Sequence, residues 1–413
     1  MTDENHTLKD HKGNLKRREF IAGAAAAATV TILKPSRVRA AEANSQLTLG
    51  LIGCGGRGRW IADLFANTGR DHPQGGARFV ALADYFQDRV DAVGDHLKID
   101  EAHRYTTLSG YKRLLDQKLD AVVIETPPYA HPEHAAAAVE AGKHVFVAKP
   151  IAVDVPGCMS IAESGKKATA KNLVFLVDFQ TRAHPFYREA AERVHAGDLG
   201  KISCAECHYP WASGGKGSPV SGPEDRLRKW YQHLDLCGDV IVEQDIHALD
   251  VATWFLDAAP ISAVGDGGRP LREHGDFWDH FSVIYTFPGD LILTHTSMKG
   301  IAGCRDEIRC RVYGDGGMVH SDYFGEVWIH GTKPFEGGLV GQLYSDGAVT
   351  NIEDFYRFVT EGHYANETVA PSVCSNLTAV LGRNAAYKRG PVTWNEMIQA
   401  NVKLEPDLRG LKT

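Results

Sequence analysis

Short apolar runs alternate with helical patterns from Leu47 to about Asn172. The apolar runs are nearly continuous, whereas the segments between them repeat apolar residues every three or four positions. Buried strands that alternate with helices at this spacing are typical of a parallel sheet with crossover helices. The predicted strands are Leu47–Gly53, Ala77–Asp84, Leu119–Thr126, His144–Lys149 and Leu173–Phe179, and the helices are Arg57–Thr68, Phe86–Leu97, Pro132–Gly142 and Met159–Lys171.

The pattern changes after His184-Pro185. A helix over Phe186–Ala196 is followed by strands joined through Gly-rich turns, which indicates an open, largely antiparallel sheet. A single helix over Gly238–Leu256 and two further helices complete this region. We therefore predict an N-terminal Rossmann domain, a doubly wound parallel sheet over 44–180, and a C-terminal α+β domain over 181–413. The strands expected in the second domain are Ile202–Tyr209, Ile261–Val264, His280–Phe287, Leu291–Ser297, Glu307–Tyr313 and Gly325–His330, with late helices around Asn351–Glu361 and Val373–Lys388.

Residues 1–43 have the pattern of an export signal. Arg17-Arg18 is followed by Phe20-Ile21 and an Ala-rich apolar run, with small residues suited to cleavage near Ala40 or Ala43. This is typical of a twin-arginine (Tat) signal, with a membrane anchor or a chance arginine pair as alternatives. We expect a periplasmic or extracellular protein that uses the Tat export machinery.

Charge and cysteine content narrow the function. The chain has 45 Lys+Arg and 52 Asp+Glu, a net charge of −7. Removing residues 1–40, with eight basic and four acidic side chains, leaves 37 against 48, or −11. Such a charge disfavours nucleic acid and anionic membranes as partners and suits a neutral, hydroxyl-rich substrate. Cys204 and Cys207 should lie on opposite faces of a strand, so no metal site is predicted.

A glycine-rich turn follows the first strand and opens the first helix. In this context the glycines permit a tight turn and the approach of a pyrophosphate to the helix N-terminus. Asp84, at the end of the second strand, can accept hydrogen bonds from ribose hydroxyls and would repel a 2′-phosphate, which favours NAD. Arg57 and Arg59 leave NADP open as the alternative. The predicted cofactor residues of the turn are Gly53, Gly55, Gly56, Arg57 and Gly58.

Several ordered motifs resemble the Gfo/Idh/MocA oxidoreductases, including its Tat-exported, glucose–fructose oxidoreductase-type and NAD-dependent glycosidase branches. The resemblance extends from Leu47 to about Met397 and rests on these stretches: Thr126-Pro127-Pro128-Tyr129-Ala130-His131, Ala141-Gly142-Lys143-His144-Val145, Lys149-Pro150, Phe179–Tyr187, Gly197–Lys201 and Gly238–Asp250. It implies a sugar oxidoreductase that holds NAD tightly.

The resemblance also implies roles for individual residues. Lys149 matches a lysine between nicotinamide and substrate, His247 matches a general base, and Glu243 matches a position usually held by Asp. Thr126, Pro127 and His131 are expected beside the cofactor. Two departures from the family pattern are Ala148, in place of a glutamate, and Asp245, in place of a glycine.

The residues themselves support this chemistry. On one continuous helix, Glu243 and His247 would be four positions apart and face the same way, so the carboxylate would orient the imidazole. Lys149 would stabilise a developing alkoxide. Substrate contacts are predicted for Asp245, Tyr187, Arg182, Trp230 and Tyr231.

The sequence leaves three functions open. The first is hydride transfer between a sugar, sugar derivative or glycoside and NAD. The second is an NAD-dependent glycosidase that acts by transient C3 oxidation and elimination. The third is a non-catalytic sugar-binding protein on the same scaffold. A homo-oligomer that pairs through the C-terminal sheet is also expected.

Overall fold

The computed structural model describes residues 46–71 and 76–413. The predicted signal over 1–43 lies outside these residues. Residues 45–413 form one compact unit. In the described ranges, no helix is long and apolar enough to cross a membrane.

The first sheet has six parallel strands in the order β3-β2-β1-β4-β5-β6. This is the strand order of a doubly wound dinucleotide-binding fold, in which ligands bind at the carboxyl ends of the strands. The strands are β1 Leu47–Ile52, β2 Ala77–Ala83, β3 Arg104–Tyr105, β4 Ala121–Ile124, β5 His144–Ala148 and β6 Phe175–Asp178. The helices are α1 Gly56–Asp71, α2 Gln87–Leu97, α3 Gly110–Leu115, α4 His131–Glu140 and α5 Val155–Ala170, with a 3₁₀ turn at Glu101–His103.

The apolar runs form strands because both faces of this sheet are covered. All four residues of β4 and all four of β6 are buried, so these strands read as continuous apolar stretches. The predicted parallel sheet is confirmed. Strand β3 and helix α3 were not predicted because two and six residues are too short to show a period.

The second sheet has nine strands in the order β14-β13-β12-β11-β7-β10-β9-β8-β15. Its pairs are antiparallel except β7 with β10, which are parallel. The predicted mostly antiparallel sheet is therefore confirmed. The strands are β7 Ile202–Trp211, β8 Ser262–Gly268, β9 His280–Thr286, β10 Ile292–Lys299, β11 Arg309–Gly314, β12 Gly317–Asp322, β13 Glu326–Gly331, β14 Phe335–Leu339 and β15 Val392–Thr393.

Helices cover one face of this sheet. Buried and exposed residues alternate along β9, as expected for a sheet with one face on a core. Cys204 is exposed and Cys207 is buried, which confirms that they lie on opposite faces. The helices are α6 Gln180–Ala183, α7 Pro185–His195, α8 Pro223–Arg228, α9 Leu234–Cys237, α10 Val240–Glu243, α11 Ile246–Leu256, α12 Leu343–Glu361, α13 Val369–Lys388 and α14 Trp394–Ala400, with 3₁₀ turns at Trp230–Gln232 and Pro288–Asp290.

One predicted element is wrong. The single helix expected over Gly238–Leu256 is broken between α10, which ends at Glu243, and α11, which begins at Ile246. The Gln244 backbone leaves regular helical geometry at φ −109° and ψ −54°. The break places Asp245 in buried ion pairs with β10, and these contacts compete with a continuous helix.

Candidate active site

The glycine turn between β1 and α1 leaves its backbone open to a ligand. Gly53 has φ +102°, and a Cβ there would meet the Glu125 backbone at 2.5 Å. A Cβ on Gly58 would lie 1.9 Å from the Gly53 carbonyl oxygen, so helix and strand pack too closely for any side chain. Gly56 has no atom within 4 Å of its Cβ position among the residues that the structure describes. The turn therefore offers the close backbone approach that a pyrophosphate requires.

An open cavity lies beyond the carboxyl end of β2. Asp84 lines it, with one oxygen accepting a hydrogen bond from the Cys54 amide (2.8 Å) and the other from the Phe86 amide (2.9 Å). Burial raises the pKa of Asp84. Thr126 and Pro127 also line this cavity. The cavity and its carboxylate fit the adenosine half of a dinucleotide.

The C-terminal tail runs along the rim of this cavity. The Lys412 amide donates to the Tyr85 hydroxyl (3.1 Å), and the Leu108 amide donates to the Lys412 carbonyl (3.0 Å). Tyr85 and Leu108 both line the cavity. The tail at Lys412 is thus held against two residues that line the cavity.

Arg57 of the glycine turn points away from the cavity. Its guanidinium forms ion pairs with Glu125 and Asp178 and donates to the Tyr344 hydroxyl at 2.7 Å. Its charge is therefore engaged at the ends of β4 and β6, and it is not placed to neutralise a 2′-phosphate beside Asp84. This placement removes one argument for NADP.

Lys149 and Glu243 meet at the carboxyl edge of the parallel sheet. The Lys149 Nζ donates to the Glu243 carbonyl at 2.7 Å and lies 3.5 Å from Glu243 Oε1. Their side chains are 13% and 14% exposed, so both are accessible from outside. Burial lowers the pKa of Lys149, with Glu243 opposing that shift, and burial raises the pKa of Glu243.

His247 is the second residue of α11 and lies beside Tyr323. The two ring centroids are 5.6 Å apart. Burial, followed by the charges of Lys149 and Arg57, lowers the pKa of His247 well below its ordinary value. Its Nδ1 has no hydrogen-bond partner in the described part of the chain. A lowered pKa favours the neutral imidazole, which is the form that a general base requires.

The predicted pairing of Glu243 with His247 is corrected by these contacts. The helix break places the two residues on separate helices, and the Glu243 carboxylate faces Lys149. Glu243 Oε2 has no hydrogen-bond partner within residues 46–71 and 76–413. The carboxylate is thus suited to holding the lysine in place rather than to orienting the imidazole.

Asp245 forms a second, closed cluster. Its Oδ1 lies 2.9 Å from Lys299 Nζ and its Oδ2 lies 3.2 Å from His295 Nε2, and all three side chains are 0% exposed. Burial alone would raise the pKa of Asp245, but Lys299 and His295 hold it below its ordinary value. The substrate contact predicted for Asp245 is therefore wrong, since its side chain has no accessible surface.

Two other predicted substrate residues are structural. Tyr187 is buried in the core of the C-terminal domain at 1% exposure. Arg182 makes hydrogen bonds of 2.9–3.0 Å to both carboxylate oxygens of Asp250 and lies over the Trp254 ring. Both are engaged by partners distant in sequence, which no local pattern reveals.

Trp230, Tyr231 and His131 have different surroundings. Trp230 and Tyr231 contact each other edge to face, and burial followed by the charge of Glu243 raises the pKa of Tyr231. Tyr231 therefore lies near the Lys149–Glu243 pair. The buried His131 ring lies 2.6 Å from the Thr126 carbonyl and 2.8 Å from the Pro150 carbonyl. It braces the two loops that carry Thr126 and Lys149.

Sequence reasoning missed three residues of this region: Glu125, Asp178 and Tyr323. Glu125 directly follows β4, and Asp178 ends β6. Acidic residues at the ends of buried parallel strands are a readable signal, because such ends meet at one edge of the sheet. Tyr323 follows β12 and carries no such signal. Within the described residues, no group of three His, Cys, Asp or Glu could hold a metal ion.

Comparison with known families agrees with this architecture. A glycine turn at a parallel sheet, joined to an α+β domain that supplies an imidazole, defines a two-domain dinucleotide-dependent oxidoreductase. A model of the oxidoreductase family with an NAD-binding Rossmann fold matches residues 47–177, and the Gfo/Idh/MocA C-terminal domain model matches 187–320. The two models cover more than half of the chain. The chain belongs to the Gfo/Idh/MocA oxidoreductase family and its cofactor is NAD.

Curated relatives include cyclitol dehydrogenases. The scyllo-inositol 2-dehydrogenase (NAD(+)) of Bacillus subtilis is 27% identical over 59% of this chain and 66% of its own length. Inositol 2-dehydrogenase 3 of Saccharopolyspora erythraea is 32% identical over 46% of this chain and 48% of its own length. The chain thus aligns with less than two thirds of either relative.

Solved structures share the fold over most of their length. A levoglucosan dehydrogenase in complex with NADH and L-sorbose has a TM-score of 0.71 at 18% identity, over 85% of this chain and 100% of that one. An aldose–aldose oxidoreductase from Caulobacter crescentus, complexed with glycerol, has a TM-score of 0.64 at 21% identity, over 84% and 99%.

Proposed function

We propose that this protein transfers a hydride between NAD and the hydroxyl-bearing carbon of a sugar or a sugar-like polyol. The observation that carries the proposal is the Lys149–Glu243 pair at the carboxyl edge of the parallel sheet, near enough to His247 for the charge of Lys149 to help lower the pKa of the imidazole. The relatives named as inositol and levoglucosan dehydrogenases support a polyhydroxylated substrate. The net charge of the chain also suits a neutral one.

The residues divide the work of alcohol oxidation. Bound NAD supplies the hydride acceptor. The His247 imidazole accepts the hydroxyl proton. The Lys149 ammonium stabilises the negative charge that develops on the substrate oxygen. Glu243 holds the ammonium in place through its carbonyl and its carboxylate.

The nucleotide content of the purified protein tests the cofactor half of this proposal. We expect denaturation to release NAD(H), identified by mass, because the cavity at Asp84 and the closely packed glycine turn suit a tightly held dinucleotide. Protein that contains no nucleotide and also fails to bind added NAD contradicts it.

A panel of cyclitols, aldoses and anhydrosugars, followed by NADH absorbance, tests the substrate half. Lys149→Met is the negative control, and Lys143→Met, a lysine that donates to the Gln117 and Leu119 carbonyls, is the matched control. Aryl glycosides belong in the same panel, since phenol release without net NADH identifies the glycosidase reaction instead. Binding without turnover on every compound identifies a sugar-binding protein.

We propose that the mature protein is exported through the Tat route, as the arginine pair at 17–18 predicts. Cell fractionation and N-terminal sequencing test this, with Arg17→Lys/Arg18→Lys retained in the cytoplasm. A mature protein that begins at Met1 contradicts export.

We also propose that two copies pair through the open face of the nine-stranded sheet. Val264 and Ile284 are neighbours across β8 and β9 and are 44% and 46% exposed. Light scattering of Ile284→Lys tests the pairing. A wild type that is already monomeric contradicts the pairing. So does an oligomeric wild type whose molar mass is unchanged by Ile284→Lys.

A further inference from the structure

Three neighbouring strands of the parallel sheet end in a row of carboxylate, methyl and carboxylate. Ile124 pairs with Val147 between β4 and β5, which brings the next residues, Glu125 and Ala148, side by side. Ala148 pairs with Asp178 between β5 and β6. Residues paired across parallel strands project from the same face of a sheet. Glu125, Ala148 and Asp178 therefore form one row on the face covered by α1.

Arg57 of the glycine turn bridges this row. Its Nε lies 2.9 Å from Glu125 Oε2, and its Nη2 contacts Asp178 Oδ2. The guanidinium thus joins the two outer members of the row, which flank Ala148 on the sheet. This explains the departure from the family pattern, because a longer side chain at 148 would occupy the space across which Arg57 reaches.

The two carboxylates of the row are not equivalent. Asp178 accepts hydrogen bonds from Asn351 Nδ2 (2.8 Å) and Gln180 Nε2 (2.9 Å), in addition to its contact with Arg57. Neither oxygen of Glu125 has a hydrogen-bond partner among the described residues, although its side chain is 0% exposed. The Arg57 Nε lies 2.9 Å from Glu125 Oε2 in an ion pair. A buried carboxylate with fewer donors is costlier to keep ionised, so the charge of Glu125 depends more on its surroundings than that of Asp178 does.

The row lies at the nicotinamide end of the cofactor site. It lies at the carboxyl ends of β4, β5 and β6, next to Lys149, whereas the adenosine cavity lies at the end of β2. A dinucleotide on the glycine turn runs from one of these regions to the other. The nicotinamide ring carries one positive charge in NAD⁺ and none in NADH. An ionised Glu125 gives the Glu125–Arg57–Asp178 cluster a net charge of −1, and a protonated Glu125 makes it neutral.

The geometry points to Glu125 as the residue that sets the preference of the site for NAD⁺ over NADH. The ionised carboxylate attracts the positively charged ring and has no such attraction for the neutral one. Burial raises the pKa of Glu125 to about 7, with Arg57 opposing the shift, Asp178 adding to it and Lys149 opposing it. The preference for NAD⁺ therefore grows as the pH rises through 7. This inference rests on NAD binding and is independent of the substrate.

The test measures dissociation constants of NAD⁺ and NADH by protein fluorescence, for the wild type and Glu125→Gln, at pH 6, 7 and 8. We expect the ratio Kd(NADH)/Kd(NAD⁺) of the wild type to rise across this range by about 3- to 10-fold, the change expected for one ionisation coupled through a partly screened charge. In Glu125→Gln the ratio stays at the low value at every pH. Glu125→Asp restores the rise.

Two controls separate this role from a structural one. Glu101→Gln removes an exposed carboxylate of the same domain and leaves the ratio unchanged. ADP-ribose lacks the nicotinamide, so its affinity is the same in the wild type and Glu125→Gln. A wild-type ratio that does not change between pH 6 and 8 overturns the inference, even where Glu125→Gln does not fold. A Glu125→Gln ratio that follows the wild type also overturns it.

Discussion

Two clusters of similar chemical composition differ in their exposure and in their hydrogen bonds, although their carboxylates, Glu243 and Asp245, are only two residues apart on the chain. Each contains a lysine, a carboxylate and a histidine: Lys149, Glu243 and His247 in one, and Lys299, Asp245 and His295 in the other. In the second cluster all three side chains are 0% exposed, and each Asp245 oxygen has a basic partner within 3.2 Å. In the first, Lys149 and Glu243 are partly exposed, and Glu243 Oε2 and His247 Nδ1 have no partner in the described part of the chain.

The difference shows that residue type alone does not identify a catalytic group. Burying the ions of a closed cluster costs desolvation free energy, which their contacts with each other offset. Such a cluster therefore has a structural role. A cluster with open hydrogen-bonding capacity at a ligand-binding edge is available for chemistry. The helix break between α10 and α11 directs residue 243 to one cluster and residue 245 to the other.

Replacing the lysine of the open cluster has the largest expected effect. Lys149→Met is expected to lower kcat/KM by about 10³-fold, because one preorganised electrostatic group at a developing oxyanion is worth this much. Its thermal stability should remain near that of the wild type. Steady-state kinetics and a melting curve check both. Retained turnover would remove Lys149 from the mechanism.

Replacing the lysine of the closed cluster should lower stability and have little effect on turnover. Lys299→Met leaves Asp245 buried without its cation, which is expected to cost about 3–5 kcal/mol of unfolding free energy. Urea denaturation measures the loss, and kinetics on the folded fraction should show a far smaller change than Lys149→Met. The comparison between the clusters fails if Lys299→Met instead abolishes turnover at unchanged stability.

The pH profile sharpens the role of His247. Its folded pKa is well below 6.5, so the neutral base persists as the pH falls through 6.5, and kcat/KM should not decline there. The pKa of Lys149 is lowered below 10.5, so the ammonium, and the activity that depends on it, is lost before pH 10.5.

His247→Asn should lower kcat by about 10²-fold. A wild-type acid limb centred at 6.5 would contradict a buried neutral base.

The smallest effect is expected at a pair of tyrosines. The hydroxyls of Tyr323 and Tyr285 are both buried without a partner in the described ranges. Tyr323 lies beside His247, whereas Tyr285 packs against α13 at Gly382. Tyr323→Phe should raise the substrate KM by about threefold, the effect of one weak hydrogen bond. Tyr285→Phe should leave KM unchanged. Equal KM values in both variants would exclude Tyr323 from substrate binding.

Local patterns were sufficient to predict much of the fold. The spacing of apolar residues and the position of the glycine-rich turns predict both sheets. They also place Asp84 and Lys149 at strand ends, because a strand end is a local feature. The helix break could not be predicted, since Asp245 finds Lys299 and His295 about 50 residues further along the chain. The structural roles of Tyr187 and Arg182 cannot be predicted for the same reason, because their partners are set by tertiary packing. Glu125 was predictable, since it is a charge directly after a fully buried strand.

The position of the C-terminal tail has a practical consequence for handling the protein. The Lys412 backbone is hydrogen-bonded to Tyr85 and Leu108 at the rim of the adenosine cavity. An affinity tag fused after Thr413 would therefore begin one residue from that rim. A tag placed before the proposed signal would be removed with it on export.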